Sequence, residues 1–407
     1  MPPSAASRRS PLVVLFLTVF IDLMGFGIVI PLLPIYAERM HASAAAAGWL
    51  IGVYSLMQLV FAPRWGALSD RIGRRPVLLV SLSASALSYL LLASAWSLPM
   101  LFVARVLAGI AGANIPVAQA YIADVTSGAD RARGMGLIGA AFGLGMVVGP
   151  AVGAGLALLG PRVPECFAAG LCIVNVAMAA YRLPESLPAG ARELARFTHP
   201  LSPAALRDAV ARPGAAALLG VFFFVTLGFA VLEGNFSYAA HGYGYTASQI
   251  GMLWLYMGAV AVVVQGWLVG RLTRRVSEPA LVVVGAAGLG LGLAWVPFTG
   301  GSVELLLALA LVVTGQGLAG PPLSSLISKT AAGQTHGEVL GVSQSLSAAA
   351  RALGPHGGGL ALERLGASTA YVAAALCALG ACGLAFPLGR RTERPASAPG
   401  LPLRRSG

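Results

Sequence analysis

The sequence predicts an all-α membrane protein in which twelve spanning helices form two pseudo-symmetric bundles of six. Three observations carry this: an apolar composition, twelve apolar runs of spanning length, and a pattern of glycine, proline and arginine that recurs in the second half. Of 407 residues, 57% are hydrophobic and 10% charged, whereas an ordinary soluble domain carries about 25% charged residues. That composition excludes a water-soluble enzyme. Twelve helices of about 20 residues would occupy roughly 240 positions and leave only short loops.

The runs lie near 12–36, 46–67, 76–96, 99–121, 134–160 and 163–183, then 214–239, 248–269, 279–298, 303–327, 338–362 and 368–388. The first follows Arg8 and Arg9 but is too long for a cleavable signal core and contains Asp22, so it is read as an uncleaved span. Between the sixth and seventh runs, Pro184, Pro188, Pro200, Pro203 and Pro213 stand among scattered charges, which marks 184–213 as a surface linker. It joins an N-terminal bundle, 1–183, to a C-terminal bundle, 214–389, and a basic tail follows at 390–407.

The net charge of +12 comes almost wholly from arginine, which supplies 26 of 27 basic residues. With the N-terminus inside, 21 of them fall in cytoplasmic segments and only Arg39, Arg162 and Arg364 in the opposite loops. Short cytoplasmic loops carry the positive excess, so both termini of a multi-pass membrane protein are expected in the cytoplasm; the inner (plasma) membrane is what the family resemblance described below implies. The charge is therefore a topological signal facing the lipid bilayer's inner side, and no nucleic-acid partner is expected. Cys166, Cys172, Cys377 and Cys382 sit in apolar runs without metal-ligand or redox spacing. No metal, no cofactor and no enzymatic activity are expected, because there is no nucleophile motif and no phosphate loop ending in Gly-Lys; the single lysine, Lys329, follows Ser328.

The halves echo each other. Gly66, Arg71, Arg74 and Arg75 are matched 200 positions later by Gly266, Arg271, Arg274 and Arg275, and Gly136, Gly149 and Pro150 are matched at an offset of 205 by Gly341, Gly354 and Pro355. A parallel six-plus-six repeat is the architecture that moves solutes by rocking two bundles about a central site. The run Gly66-Ala-Leu-Ser-Asp70-Arg71-Ile-Gly73-Arg74-Arg75 resembles the loop signature of the major facilitator superfamily. Its glycines allow a tight turn, Asp70 is placed to face a neighbouring helix N-terminus, and the arginines can reach Asp124 and Asp130. The resemblance implies a conformational latch on the cytoplasmic side at Asp70, assisted by Arg71 and Arg74. Gly136, Gly145, Gly149, Pro150, Gly153 and Ala154 resemble the superfamily's antiporter signature, with Ala154 in place of a glycine. Small residues at this spacing let helices approach closely, and Pro150 permits a kink. Asp22-Leu-Met-Gly25-Phe-Gly27 through Pro31 and Pro34 is similar to the first helix of the tetracycline/proton antiporters and their twelve-span drug:proton relatives.

A charge inside a span costs roughly 2.5–3.5 kcal/mol and faces a cavity or a partner. Asp22 lies about ten residues into its span, about 15 Å deep at 1.5 Å per residue, near the midplane. Burial favours its neutral form and an arginine its charged form, so exchange of partners between conformations would move a proton. Glu233 in span 7 is the second acid, and Arg105 and Arg351 are the candidate partners. Arg105 opens the stretch to Gly109 and Gly112 that resembles the superfamily's span 4 signature, whose arginine is linked to proton transfer. Phe26, Asn114, Gln119, Asn235, Tyr238 and Gln316 are candidates for the substrate cavity, with Trp254 as an aromatic wall; amides and rings suit a broad, mostly apolar ligand. The expectation is a monomeric secondary transporter exporting small organic compounds in exchange for protons. Its competitors are uptake or facilitated transport of a sugar, an organic acid or another metabolite by the same fold, and, from another class, a membrane receptor or enzyme.

Overall fold

The computed structural model describes residues 5–126, 128–187, 207, 211, 214–330 and 336–392, so most of the linker and the tail beyond 392 lie outside the described residues. Every regular element among the described residues is helical. The first span is α1 (Ala5–Val29), a 3-10 turn (Ile30–Leu32) and α2 (Leu33–Arg39). Pro31 and Pro34 cause the interruption, because neither can donate into the preceding turn. Next come α3 (Ala44–Ile72) and α4 (Arg74–Ala93). The fourth span breaks into α5 (Leu98–Ala111) and α6 (Ile115–Val125) around Gly112 and Pro116, and α7 (Gly128–Ala157) and α8 (Val163–Arg182) complete the first half.

The second half holds α9 (Ala215–Gly242), then α10 (Ala247–Val263), which runs through a π turn into α11 (Val269–Leu272). It continues with α12 (Glu278–Trp295), α13 (Ser302–Thr330), α14 (His336–Leu365) and α15 (Ala367–Thr392). Starts are capped where the sequence allows: Ser43 accepts from the Ala46 amide, and Thr246 with Gln249 forms a reciprocal capping box.

These helices occupy the positions of the twelve expected spans. Ten are long and apolar enough to cross a bilayer among the described residues. The other two positions are filled by α7 and α14, each 30 residues long. Ser343, Gln344, Ser345, Ser347, Arg351 and His356 dilute the apolar character of α14.

One continuous hydrophobic core is built from residues between Leu218 and Ala385, and two others from residues between Val14 and Leu183. The sequence echo reappears as packing. A β-carbon on Gly27 of α1 would stand 2.9 Å from the Pro150 ring of α7, and one on Gly234 of α9 would stand 2.9 Å from Cγ of Pro355 in α14. In both halves the Gly-Pro helix therefore lies tight against the half's first span, with glycine at the crossing because no larger residue fits. On α7, Gly145 and Gly149 press on Leu23, Met24 and Gly27, and Gly153 on the Ile28 carbonyl. That contact fixes the height of α1 beside Asp22.

The halves meet along α3 with α14 and α7 with α10. Gly48 and Gly52 of α3 accept the Pro355 and Ala352 carbonyls of α14 where a side chain would collide. Four contacts join the halves at the ends remote from the Arg71, Arg74 and Arg75 loop. Ser237 Oγ donates to the Pro31 carbonyl at 3.1 Å, His241 Nδ1 lies 2.6 Å from Glu38 Oε1, and His356 Nδ1 lies 3.3 Å from the Ala45 carbonyl with its ring 4.5 Å from that of Trp49. We call the arginine-bearing side the basic face. The opposite face is closed by these contacts.

Gly48→Leu should wedge this closure open. With exposed Cys166 replaced by Ser, a cysteine at Ser237 should then react with an impermeant maleimide several-fold faster than in the Gly48 protein. Equal rates would show that the α3–α14 contact does not seal that face.

Candidate proton and substrate site

Asp22 is 8% exposed on α1. Ser85 Oγ of α4 donates to its Oδ1 at 3.1 Å, and Asn114 Nδ2, at the break between α5 and α6, donates to its Oδ2 at 3.2 Å. Asn114 also donates to Ser81 Oγ at 2.7 Å, and Ser81 donates to the Ala111 carbonyl at 2.7 Å. The broken fourth span matters here: ending α5 at Ala111 frees that carbonyl and turns Asn114 toward the carboxylate. Among the described residues, the donors bonded to Asp22 are uncharged.

Arg105 occupies a separate environment, 1% exposed. Its guanidinium carbon stands 4.6 Å from the centre of the Tyr54 ring and 5.5 Å from that of Phe26, and these two rings stack on each other at 4.2 Å. A cation on aromatic faces gains about 2 kcal/mol or more when desolvated. Nε donates to the Leu50 carbonyl at 3.0 Å, but Nη1 and Nη2 are buried without a hydrogen-bond partner among the described residues. The expected ion pair of Arg105 with Asp22 or Glu233 is therefore absent from this conformation. The aromatic pair takes the place of a carboxylate.

In the second half, Glu233 is buried on α9 and lies in the field of Arg351, whose Nη1 donates to Ser347 Oγ at 2.9 Å. Asn235 braces α9 to α14 by donating to the Val231 and Pro355 carbonyls at 2.9 and 3.0 Å, leaving its Oδ1 unpartnered. Gln316 Oε1 is also buried without a partner among the described residues. Gln119 and Tyr238 are half-buried, and Tyr238 packs on the first half's core near the closed face. Trp254 lines a cavity of about 230 Å³ between the halves, with Pro31, Tyr36 and Arg39, and its Nε1 donates to Ser237 Oγ at 3.0 Å inside the closure.

Among the described residues Asp70 pairs with Arg74, which also bonds Asp124 Oδ2 at 3.1 Å. The N-terminus of α4 is capped by Glu185, whose two oxygens accept from the Arg74 and Arg75 amides at 2.9 and 3.2 Å. Gly73 makes the turn with a positive φ of 108°, where a side chain would strike the Glu185 carboxylate. Gly66 lies inside α3 with open space around it, Arg71 is exposed, and Arg75 Nη2 bonds the Ala180 carbonyl at 2.6 Å. The side chains of Asp130 and Gly136 lie outside the described residues.

Sequence reasoning missed Ser81, Ser85, Tyr54, Glu185 and Glu165. The serines carried a readable signal, since Ser81, Ser85 and Ser88 recur at the spacing of one helix face and all three are buried. Glu165, in the first turn of α8, is buried next to the Tyr36 side chain. No cluster of metal-ligating side chains occurs among the described residues.

The family model of the Major Facilitator Superfamily matches residues 15–355. The chain belongs to the major facilitator superfamily. It is 34% identical over 353 residues to the tetracycline resistance protein, class C, of Escherichia coli, covering 85% of this chain and 88% of that one. It is 27% identical to multidrug resistance protein 2 of Bacillus subtilis (strain 168), covering 89% and 91%. Among solved structures, the human organic anion transporter MFSD10 superposes with a TM-score of 0.71 at 28% identity, covering 95% of this chain and all of that one. The protein is thus a multi-pass membrane transporter of the superfamily.

Removing the Glu185 carboxylate by Glu185→Ala should cost about 1–2 kcal/mol at the start of α4, a factor of about 5–30 in local opening. Hydrogen exchange at the Arg74 and Arg75 amides should speed up by that factor and leave α13 unchanged. Unaltered exchange at α4 would contradict the capping role.

Proposed function

We propose that this transporter exports small, mostly apolar organic compounds, tetracycline-like molecules among them, in exchange for protons by alternating access. One observation carries the reading. Asp22 is buried with only neutral hydrogen-bond donors, while the guanidinium of Arg105 is buried with two N–H-bearing nitrogens unpartnered. A buried carboxylate without a counter-charge is held more cheaply as the neutral acid. In this conformation Asp22 therefore carries the proton, and Arg105 rests on Tyr54 and Phe26.

A small movement of α5 relative to α1 brings Arg105 to Asp22. The carboxylate then ionises against the arginine, and the proton leaves. Arg105 keeps its charge throughout, so it acts as a fixed bias and not as a proton carrier. Glu233 and Arg351 form the corresponding acid and base of the second bundle. Asn114, Asn235 and Gln316 offer polar contacts, and Phe26 an apolar surface, to the exported compound.

Residues 1–183 and 214–389 move as the two rocking bundles, joined by the cytoplasmic linker at 184–213. The basic face is the cytoplasmic one and both termini lie on that side of the inner membrane. Closure of the opposite face fits an inward-facing state. Among the described residues Asp70, Arg74 and Asp124 pair within their own half, which fits a latch disengaged from the second half.

A second reading has support in the same arginine: transport of an organic anion, which would supply the missing acceptors for Nη1 and Nη2. The human MFSD10 structure is that of an organic anion transporter.

Everted vesicles with an acid interior should lose acidity when tetracycline is added, and Asp22→Asn should abolish the response while the protein stays in the membrane. Undiminished proton movement in that variant contradicts the assignment. Transport of a radiolabelled organic anion without any proton movement favours the second reading.

A further inference from the structure

The cavity of about 230 Å³ beside Trp254 is walled by both halves. Ile35, Tyr36 and Arg39 of α2 and Leu158, just past α7, come from the first half, and Ser248 and Gly251 of α10 from the second. One side of it lies where α7 and α10 meet: a β-carbon on Gly251 would stand 3.4 Å from that of Ala154, the residue that departs from the resembled glycine signature. Ile35 lies roughly 20 Å beyond Asp22 along the first span, at 1.5 Å per residue. The cavity is therefore separate from the proton site and belongs to the closed face.

Its walls offer groups that a solute can reach. Arg39, Ser248 and Pro161 are exposed, Leu158 is 66% exposed, and Ile35 and Tyr36 are half-buried. A molecule arriving from the closed face meets them without any helix moving.

The charges set the chemistry of the occupant. Arg39 is the one charged lining residue. Among the described residues its guanidinium makes no ion pair. Two acids stand near, and neither is free to meet it in the cavity: Glu38 is engaged by His241 at 2.6 Å, and Glu165, beside Tyr36, is 1% exposed. The Tyr36 hydroxyl donates to the Pro161 carbonyl at 2.6 Å, so its proton is already used. What remains is a single accessible cation beside apolar surface from Ile35, Leu158 and Pro161. Mostly apolar walls with a few polar groups are the composition of small-molecule sites, and the volume lies below the roughly 300–1,000 Å³ of those for drug-sized ligands. We propose that this cavity binds a small amphipathic carboxylate, with its anionic group on Arg39 and its apolar body against Ile35 and Leu158.

Occupancy bears on the transport cycle because the two halves share the walls. Parting them at this face takes the site apart. A ligand shifts an equilibrium by its differential affinity for the two states, so an occupant holds the face shut. The site is thus inhibitory, and it reads solutes on the side opposite the basic face.

The test follows 4-fluorobenzoate by fluorine NMR with the full-length protein in phosphatidylcholine nanodiscs. Saturable binding to the wild type is expected. Arg39→Gln should weaken it at least about tenfold, the loss of a charge-assisted hydrogen bond, and neutral 4-fluorobenzamide should bind the wild type at least as much more weakly. Ser248→Trp, a change at an exposed position whose ring covers the mouth, should abolish binding, whereas Arg105→Gln should leave it unchanged. With Cys166, Cys377 and Cys382 replaced by Ser, the probe should also slow maleimide labelling of a cysteine at Ala45, on the α3–α14 seam, and lose this effect when Arg39→Gln is added. Absence of saturable binding, or equal binding to wild type, Arg39→Gln and Ser248→Trp, overturns the site. Loss of binding in Arg105→Gln but not in Arg39→Gln would put the probe in the central site and overturn it too. Displacement by dihexanoylphosphatidylglycerol at lower concentration than by unlabelled benzoate would assign the cavity to lipid, against the proposal. Unchanged labelling at Ala45 overturns the link to closure.

Discussion

The carboxylate of Asp22 is carried inside the bilayer by neutral hydroxyl and amide donors, and much of the first half is arranged around that fact. Ser81 and Ser85 come from one face of α4, and Asn114 from the break in the fourth span. The break itself supplies the free Ala111 carbonyl that orients Ser81. Arginine is kept out of this cluster by a stacked pair of rings that offers it an alternative seat. The acid and the arginine are thus each buried and unpaired with one another in this conformation, which is the starting arrangement that the proposed proton exchange requires.

Close helix packing makes that arrangement reproducible. The glycines of α7 bring α1 into backbone contact beside Asp22, and the Gly-Pro crossing recurs between α14 and α9 in the second half. Both bundles are braced by the same device, and the α3–α14 and α7–α10 seams between them are where the proposed rocking would be accommodated. The contacts that close one face are few and mixed in kind: a hydroxyl to a carbonyl, a histidine to a carboxylate, and a histidine against a tryptophan. Such a set is breakable at modest cost, as an alternating structure requires.

The spans, their number and the repeat were legible because they depend on composition and on Gly and Pro, whose backbone effects are local. The positions of the four intramembrane charges were legible for the same reason, since a charge in an apolar run is conspicuous. Their partners were not. Tyr54 is one more aromatic in an apolar helix until the fold lays it over Arg105, and Glu185 is one acid of a Pro-rich stretch until it meets the start of α4. The Trp254 ring is conspicuous in the sequence, but the hydrogen bond of its indole N–H to Ser237 in the seam is not, because it depends on the packing of α10 against α9.

The account rests on Asp22 holding a proton in the conformation closed at the face opposite the arginines. Infrared difference spectroscopy of the purified transporter at neutral pH, wild type against Asp22→Asn, reads this directly. A carboxylic acid carbonyl band present in the wild type and missing from the variant is the predicted result. A carboxylate band in its place, lost on the same substitution, would contradict the account.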